Sequence, residues 1–351
     1  MTSNFHSRLS QTLVFLIIFG LIFSFCTQVL FPKWEGKENT AAGMATFYRL
    51  PKNSIDVLFI GASSFRNGIS PLTFWQEQGF TSYLRATSNQ HPAVSYYYLV
   101  ESLKYQQPRV VVLDGITIFS TYDLEKREPS LRRSIDPMRF SKEKLSLILE
   151  IVAQSEKQGL LSYLFPLLRY HDRWKELSRQ DLFFFLINRY DTFKGQFVTR
   201  NSRPMEIPPG FMQPTDAKAS IHAEALVYLE RSIEFCQAHG IEVMLVSLPK
   251  FRTYNYSQHR ALQQVAQQHN LPFIEYADPA MMEAIDLDLT TDMDDANHLN
   301  IYGSLKISRH LGALLSERYD LPNRRADPAY SSWHNDLRAL QDYLATSTRR
   351  K

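Results

Sequence analysis

Two short segments contain residues whose types and spacing suit nucleophilic chemistry. The first, FIGASS at positions 59–64, is an apolar run that reaches a glycine and then Ser63. The second, DMDDANHLN at positions 292–300, places Asp295 three residues before His298. A serine hydroxyl is a poor nucleophile until a base removes its proton. A carboxylate bonded to one imidazole nitrogen leaves the other nitrogen free to be that base. Together the segments predict a serine nucleophile, a histidine base and an aspartate that orients the base.

Each segment also has a simpler interpretation. A glycine followed by serines is common in the turn between a strand and a helix, and an acidic turn with a histidine can simply precede a helix and cap it. The three aspartates Asp292, Asp294 and Asp295 could instead bind a metal ion in a metal-dependent hydrolase. Taken singly, neither segment decides between these alternatives.

Alternating apolar and amphipathic segments surround the two motifs. Apolar runs typical of buried strands are expected at 57–60, 81–84, 110–113, 241–248 and 272–275. Helices are expected to begin at Pro71 and to cover residues 93–105, 221–238, 258–269 and 301–318. This alternation is typical of a parallel sheet covered by helices on both faces, which binds ligands beyond the carboxyl ends of its strands. The sequence therefore predicts an α/β fold with both motifs at that edge.

The alternation is interrupted between about residues 119 and 219. A helical stretch at 141–158 and apolar segments at 160–168 and 182–187 predict a helical insertion, which we expect to cap the site. Within it, Phe183-Phe184-Phe185 is expected to belong to the core, and a membrane or acyl-chain surface is the alternative. The chain after residue 320 is expected to form a helix over 331–344 and a solvated basic tail at 349–351.

An uncharged apolar run occupies residues 13–31. About 20 apolar residues span a bilayer as a helix, and Pro32 and Lys33 follow where a signal peptide would carry small residues. We therefore expect an uncleaved anchor over 12–31; a signal peptide and a buried core helix are the alternatives. Arg8, with no acid among the first eleven residues, favours a cytoplasmic end at 1–11. The domain after a linker at 32–50 would then lie outside a bacterial cell membrane.

The composition excludes several classes of protein. Hydrophobic residues make up 44% of the 351 residues, enough for a packed core and too many for a disordered chain. The balance of 39 Lys and Arg against 36 Asp and Glu is too even to indicate nucleic-acid binding. Two cysteines cannot build a disulfide framework. A mean hydropathy of −0.28 excludes a polytopic membrane protein.

The order of the two motifs resembles that of the SGNH/GDSL hydrolase superfamily. The likeness covers about residues 54–118 and 220–318. It is greatest to the membrane-anchored bacterial branch that includes the teichoic-acid D-alanylation protein DltD and the alginate acetylation proteins AlgJ and AlgX. Gly61-Ala62-Ser63 matches the Gly-Asp-Ser block of the family, and Asp295 to His298 match its D-x-x-H block. The resemblance implies a flavodoxin-like three-layer α/β/α sandwich over residues 51–320. It also implies Ser63, Asp295 and His298 as a catalytic triad, with no cofactor and no metal.

The sequence departs from the family pattern in places that concern the oxyanion hole. Ala62 replaces the aspartate of the first block, and Asp114-Gly115 stands where Gly-x-Asn-Asp is usual. The oxyanion glycine of the second block falls within residues 84–90. The candidate oxyanion or substrate-binding residues there are Ala86, Ser88, Asn89 and Gln90. His171, three residues before Trp174, lies in a stretch that resembles a His-x-x-Trp patch of related membrane-anchored proteins. It is a candidate to face the site from the insertion, and a histidine on a helix surface is the favoured alternative.

Two functions fit these observations. One is a serine enzyme that hydrolyses or transfers an acyl ester of a cell-surface glycopolymer or of another acyl donor. The other is a non-catalytic scaffold that binds glycan or docks onto a multispanning membrane O-acyltransferase. The retained triad favours the enzyme, and the altered glycine and asparagine blocks favour the scaffold. In both cases we expect the lipid bilayer as a partner through residues 13–31, and no nucleic acid.

Overall fold

A parallel five-stranded sheet forms the centre of the protein. The computed structural model describes residues 2–33, 40–120, 122–186 and 190–346. Within them the strand order is β2-β1-β3-β4-β5, the doubly wound order found in flavodoxin. The strands are β1 (Val57–Gly61), β2 (Ser82–Ala86), β3 (Val110–Asp114), β4 (Glu242–Ser247) and β5 (Phe273–Glu275). Each lies within two residues of the run that predicted it.

Helices cover both faces of this sheet and complete a three-layer α/β/α sandwich. Successive strand residues alternate between two cores: Leu58 and Ile60 enter one, whereas Val57 and Phe59 enter the other. Helices that supply the first core include α5 (Pro92–Ser102), α11 (Ala223–Ala238) and α12 (Tyr256–Gln268). Helices that supply the second include α3 (Ser63–Gly68), α4 (Pro71–Glu77), α13 (Pro279–Ala284) and α14 (Ile301–Arg318). The predicted fold class is confirmed.

A two-stranded antiparallel hairpin lies between the last strand of the sheet and α14. Its strands are β6 (Met293–Asp295) and β7 (His298–Leu299). The spacing of Asp295 and His298 predicted a turn here, but no strand. Asn300 follows the hairpin and caps α14, because its Oδ1 accepts hydrogen bonds from the amides of Tyr302 and Gly303.

The insertion differs from the single cap that was expected. It contains α6 (Glu128–Ile135), α7 (Lys142–Ala153), α8 (Leu160–Leu164), α9 (Leu167–Tyr170) and α10 (Arg179–Leu182). Its last two helices, α9 and α10, pack against the N-terminal helix. The expectation that Phe183-Phe184-Phe185 is core is wrong, since Phe183 and Phe185 are exposed. After residue 190 the chain runs to α11 without regular structure.

The two ends of the chain are helical. Helix α1 (Thr2–Leu30) contains residues 8–30, which are long and apolar enough to cross a membrane; a signal sequence near the N terminus has the same property. The expected linker at 32–50 includes α2 (Thr40–Phe47), whose buried side chains join the core, so this part of it is not a linker. Residues 34–39 and the basic tail at 349–351 lie outside the described residues. Helix α15 (Ser331–Ala345) matches its prediction.

Candidate active site

A tight turn after β1 carries Ser63. Gly61 ends the strand, and a Cβ added there would lie 2.6 Å from the Cβ of Asp114 on β3, so only glycine fits. Ser63 then begins helix α3 and is half-buried. The turn lies between β1 and β3, where the strand order reverses. This is the position at which sheets of this type bind ligands.

Asp114 holds this turn in place. Its carboxylate accepts hydrogen bonds from the Ser64 hydroxyl and, at 3.3 Å, from the Ala62 amide, so it binds the residues on both sides of Ser63. Burial raises the pKa of Asp114 above its usual value, although the charge of Lys250 and the hydrogen bond from Ser64 oppose this rise. Position 62, beside the serine, is an alanine and offers no carboxylate. Asp114 supplies from β3 the carboxylate that holds the turn.

The hairpin explains the spacing of the second motif. Asp295 and His298 are paired across the two strands, joined by the turn Ala296-Asn297. Facing residues of an antiparallel pair have adjacent side chains, and His298 Nδ1 lies 2.9 Å from Asp295 Oδ2 and 3.0 Å from Oδ1. The Asn297 amide donates a further hydrogen bond to Asp295 Oδ1 at 2.8 Å. A separation of three residues therefore brings carboxylate and imidazole together.

The two motifs meet although 235 positions separate them. Ser63 Oγ lies 2.8 Å from His298 Nε2. A carboxylate can only accept a hydrogen bond, so Nδ1 of His298 carries the proton and donates it to Asp295. Nε2 is then the acceptor of the Ser63 hydroxyl proton. The arrangement is a continuous Ser63–His298–Asp295 chain with the geometry of a nucleophile, a base and an orienting acid.

The charge of Asp295 suits this arrangement. Burial raises the pKa of this carboxyl, but the hydrogen bonds from His298 and from the Asn297 amide outweigh it, so the pKa lies below its usual value. Asp295 therefore stays ionised across the neutral range. An ionised carboxylate stabilises the imidazolium that forms when His298 takes a proton.

Close packing between α3 and the hairpin sets the distance between serine and histidine. A Cβ added at Gly68, at the end of α3, would lie 2.5 Å from Leu248 Cδ1 and 3.1 Å from Leu299 Cδ1. Phe251, just after β4, donates its amide to Ala296 O at 2.8 Å and holds the hairpin turn. The backbone after β4 and the glycine in α3 thus bring His298 to Ser63.

A cavity of about 350 Å³ lies beside Ser63 and His298. Its polar and apolar lining residues are Asn89, Ile116, Phe119, Ser120, Thr253 and Asn297. Two cations, Arg127 and Lys250, complete the lining, and no carboxylate is among the described residues that line it. Burial lowers the pKa of Lys250, although the carboxylates of Asp114 and Asp295 act in the opposite direction. The cavity beside the hydroxyl is polar and positively charged.

The candidate oxyanion residues do not lie together. Asn89 lines the cavity with Ser63, has a φ of 52° and accepts a hydrogen bond from Arg127 at 3.3 Å. Ser88 accepts a hydrogen bond from Arg66 at 3.2 Å. Gln90 is fully buried and donates to Arg85 O and Ser95 Oγ. Ala86 is buried at the end of β2 and lines a different cavity of about 220 Å³. Of the four, Asn89 is at the cavity beside the serine.

The structure does not bring His171 to this cavity. Its side chain is 65% exposed, and its Nδ1 lies 3.0 Å from Leu168 O. His171 begins a 3₁₀ turn, His171–Glu176, that packs on α1. It was a candidate for the site because its stretch resembles a His-x-x-Trp patch and the insertion was expected to cap the site. The insertion instead contributes Arg127, near its beginning, to the cavity.

Asp292 and Asp294 do not join Asp295. Asp292 is buried, accepts the Asp288 amide at 2.8 Å and forms an ion pair with Lys306 at 2.9 Å. Among the residues described, no three His, Cys, Asp or Glu side chains are arranged to hold a metal ion. Within the acidic run, Asp292 therefore belongs to a structural ion pair, and Asp295 is the partner of His298.

Three residues of the site were not predicted from the sequence: Asp114, Lys250 and Arg127. Asp114 was seen only as a departure from a family block, but a lone aspartate at the end of a predicted central strand could have indicated it. Lys250 follows β4. Its position beyond the carboxyl end of a predicted strand could have indicated that it lies at the site. Arg127 lies in the irregular beginning of the insertion, where no sequence pattern indicates which way it faces.

No protein-family model matches the chain, and no curated protein has a matching sequence. One similar solved structure is a candidate acylhydrolase from Bacteroides fragilis, with a TM-score of 0.38 and 12% identity, covering 78% of this chain and 94% of the other. Another is a gut microbial diltiazem-metabolizing enzyme, with a TM-score of 0.26 and 10% identity, covering 76% of this chain and 47% of the other. Because both TM-scores are below 0.5, the fold class rests on the strand order and layers described above.

Proposed function

We propose that the protein is a membrane-anchored serine enzyme of the SGNH type that hydrolyses or transfers acyl esters. The observation that carries this proposal is the 2.8 Å contact between Ser63 Oγ and His298 Nε2, with Asp295 on the other imidazole nitrogen. In the reaction His298 takes the Ser63 proton while Ser63 Oγ attacks the acyl carbonyl. The protonated His298 then gives this proton to the leaving alcohol, and an acyl-serine forms.

A second nucleophile completes the cycle. Water or a sugar hydroxyl loses its proton to His298 and attacks the acyl-serine carbonyl, which releases the acid or the new ester and restores Ser63. The Ser63 amide is the first in its helix and has no intrahelical acceptor, so it is one candidate donor to the oxyanion. The Asn89 side chain, which lines the cavity, is the other. The cavity is open to solvent, and water therefore competes with any sugar acceptor.

The proposed substrate is an acylated cell-surface glycopolymer. An N-terminal helix that can cross a membrane would keep the site near the cell surface. The cavity is polar, and its two cations favour a substrate with negative charge near the ester. A long polymer also suits a cavity that stays open at the sheet edge, because the chain can pass through without entering an enclosed pocket.

Release of acyl groups from polysaccharide tests this proposal. The full-length protein in detergent is incubated with an O-acetylated acidic polysaccharide, and free acetate is measured. We expect release by the wild type and a loss of about 10³-fold or more in Ser63→Ala. Adding a deacetylated oligosaccharide as acceptor separates transfer from hydrolysis, because transfer yields a newly acetylated oligosaccharide. Failure of the folded wild type to act on any acyl ester would favour the non-catalytic scaffold.

A further inference from the structure

One short segment of the insertion concentrates the exposed apolar surface of the globular part. Outside α1, thirteen large hydrophobic side chains of the described residues are exposed, and eight of them lie between positions 161 and 186. They include Trp174, 63% exposed, and Leu186, 72% exposed. We call the exposed apolar side chains of residues 161–186 the apolar collar. Soluble surfaces rarely gather so much apolar area, and such patches mark a contact surface.

The apolar collar is built around the end of α1. Phe165 meets Phe23 with ring centroids 6.3 Å apart, and Phe184 meets Phe25 at 6.1 Å. Tyr170 contacts Phe31 at 5.8 Å. The patch is therefore continuous with the apolar surface of residues 8–30, and any medium that surrounds the last turns of α1 also reaches the collar.

Cationic side chains stand at the level where the apolar run of α1 ends. Arg173 donates to Leu30 O at 2.7 Å and to Asp181 Oδ1 at 3.2 Å. Lys33 donates to Phe31 O at 2.7 Å and lies 3.7 Å from Asp181. Tryptophan, lysine and arginine at this level are typical of the boundary between hydrocarbon and headgroups. The buried Asp181 fixes both cations to the helix end.

We propose that the apolar collar lies in the outer half of the lipid bilayer, so that α1 and residues 161–186 form one membrane-seated unit. The occupant of the patch is lipid, because the patch continues the surface of a helix whose length and composition suit hydrocarbon. A single helix lets a domain turn freely at the surface. A second embedded element fixes its tilt and its height above the membrane.

Site-specific labelling of the full chain tests this placement. Cys26→Ser removes the half-buried cysteine, and Cys236 stays unlabelled because burial raises the pKa of its thiol to about 12. A nitroxide is attached at Leu168→Cys or Phe185→Cys, and Val227→Cys on α11, an exposed apolar position outside the apolar collar, is the control. The protein is reconstituted in vesicles of phosphatidylcholine and phosphatidylglycerol, and collisions with oxygen and with a water-soluble nickel chelate are measured by electron paramagnetic resonance.

We expect the two collar labels to be at least fivefold less accessible to the nickel chelate than the control label, and more accessible to oxygen. Nickel accessibility equal to that of the control at both positions would overturn the proposal, and would instead indicate a surface meant for a protein partner. A second measurement needs no cysteine. The fluorescence of wild type minus that of Trp174→Phe isolates Trp174 from Trp34, Trp75 and Trp333, and brominated lipid should quench this difference. Absence of quenching in that difference spectrum would also overturn it.

Discussion

Asp295 and His298 face each other across the β6–β7 hairpin, with His298 Nδ1 2.9 Å from Asp295 Oδ2. An amide at position 295 would keep the shape but could present an N–H to the imidazole and favour the wrong tautomer. We therefore expect Asp295→Asn to lower kcat/KM by about 10³–10⁴-fold.

The neighbouring residue supplies a matched control for this change. Asp294→Asn makes the same change of charge one position away, whereas the imidazole nitrogens of His298 are hydrogen-bonded to Asp295 and Ser63. Ester hydrolysis by Asp294→Asn should stay within about twofold of wild type. Equal loss in the two variants would mean that the acidic run acts through its charge alone, against the role given to Asp295.

Asp114 and Ser64 provide a second prediction. Asp114→Asn keeps the size of the side chain but loses a charged acceptor of two hydrogen bonds on the turn that carries Ser63. Because such a bond to a charged group is worth about 1–3 kcal/mol, denaturant unfolding should show a loss of that order. Ser63 reactivity should fall about tenfold in the folded fraction. Unchanged stability and reactivity would show that Asp114 does not hold the turn.

His91 makes stability depend on pH. Its Nδ1 accepts the Ala93 amide at 3.2 Å and caps α5, which requires the neutral ring, and burial lowers the pKa of His91 to about 4. Between that value and the unfolded value near 6.5, the unfolded chain binds more protons, so stability falls as the pH drops through this window. The shift corresponds to a contribution on the order of 3 kcal/mol.

The variant His91→Asn isolates this contribution. Asparagine also caps helices but does not titrate. We expect the free energy of unfolding of wild type, relative to His91→Asn, to be constant above pH 6.5 and to decline towards pH 4. Parallel stability curves for the two proteins over this range would exclude His91 as the titrating group.

Arg127 should distinguish charged from neutral substrates. It lines the cavity beside Ser63, which is open to solvent, and two unit charges about 4 Å apart in bulk water interact by about 1 kcal/mol. Arg127→Gln should therefore raise KM for an acetylated uronic-acid oligosaccharide about fivefold and leave KM for an acetylated neutral oligosaccharide unchanged. Arg338→Gln, on α15, is the control. An equal rise of KM for both substrates would point to a structural role of Arg127.

The sheet was predictable because most of its strands are short, continuous apolar runs, although β2 (Ser82–Ala86), which contains Arg85, is a weaker signal. Helix α14 (Ile301–Arg318) was also predicted, at about residues 301–318, and the structure gives the same bounds. The D-x-x-H spacing indicated the contact of Asp295 with His298, because it depends on a local turn. These features need only a few neighbouring residues to be recognised.

The rest depended on distant parts of the chain. Arg127 and Lys250 reach one cavity from separate loops, and nothing near either residue in the sequence indicates that they meet. Phe183 and Phe185 were expected in the core because they are apolar, but they lie beside α1, where an apolar surface need not be covered by protein. His171 was placed at the site because the sequence does not show that its segment packs on α1.

The most direct test of the account is covalent labelling of Ser63 by a fluorophosphonate. The full-length protein in detergent is treated with the probe, and the adduct is located by peptide mass spectrometry, with Asp294→Asn and His298→Ala measured beside wild type. We predict one adduct, on Ser63, formed at similar rates in wild type and Asp294→Asn and lost in His298→Ala. A folded wild type that carries no adduct on Ser63, or labelling that persists undiminished in His298→Ala, would contradict the proposed chemistry.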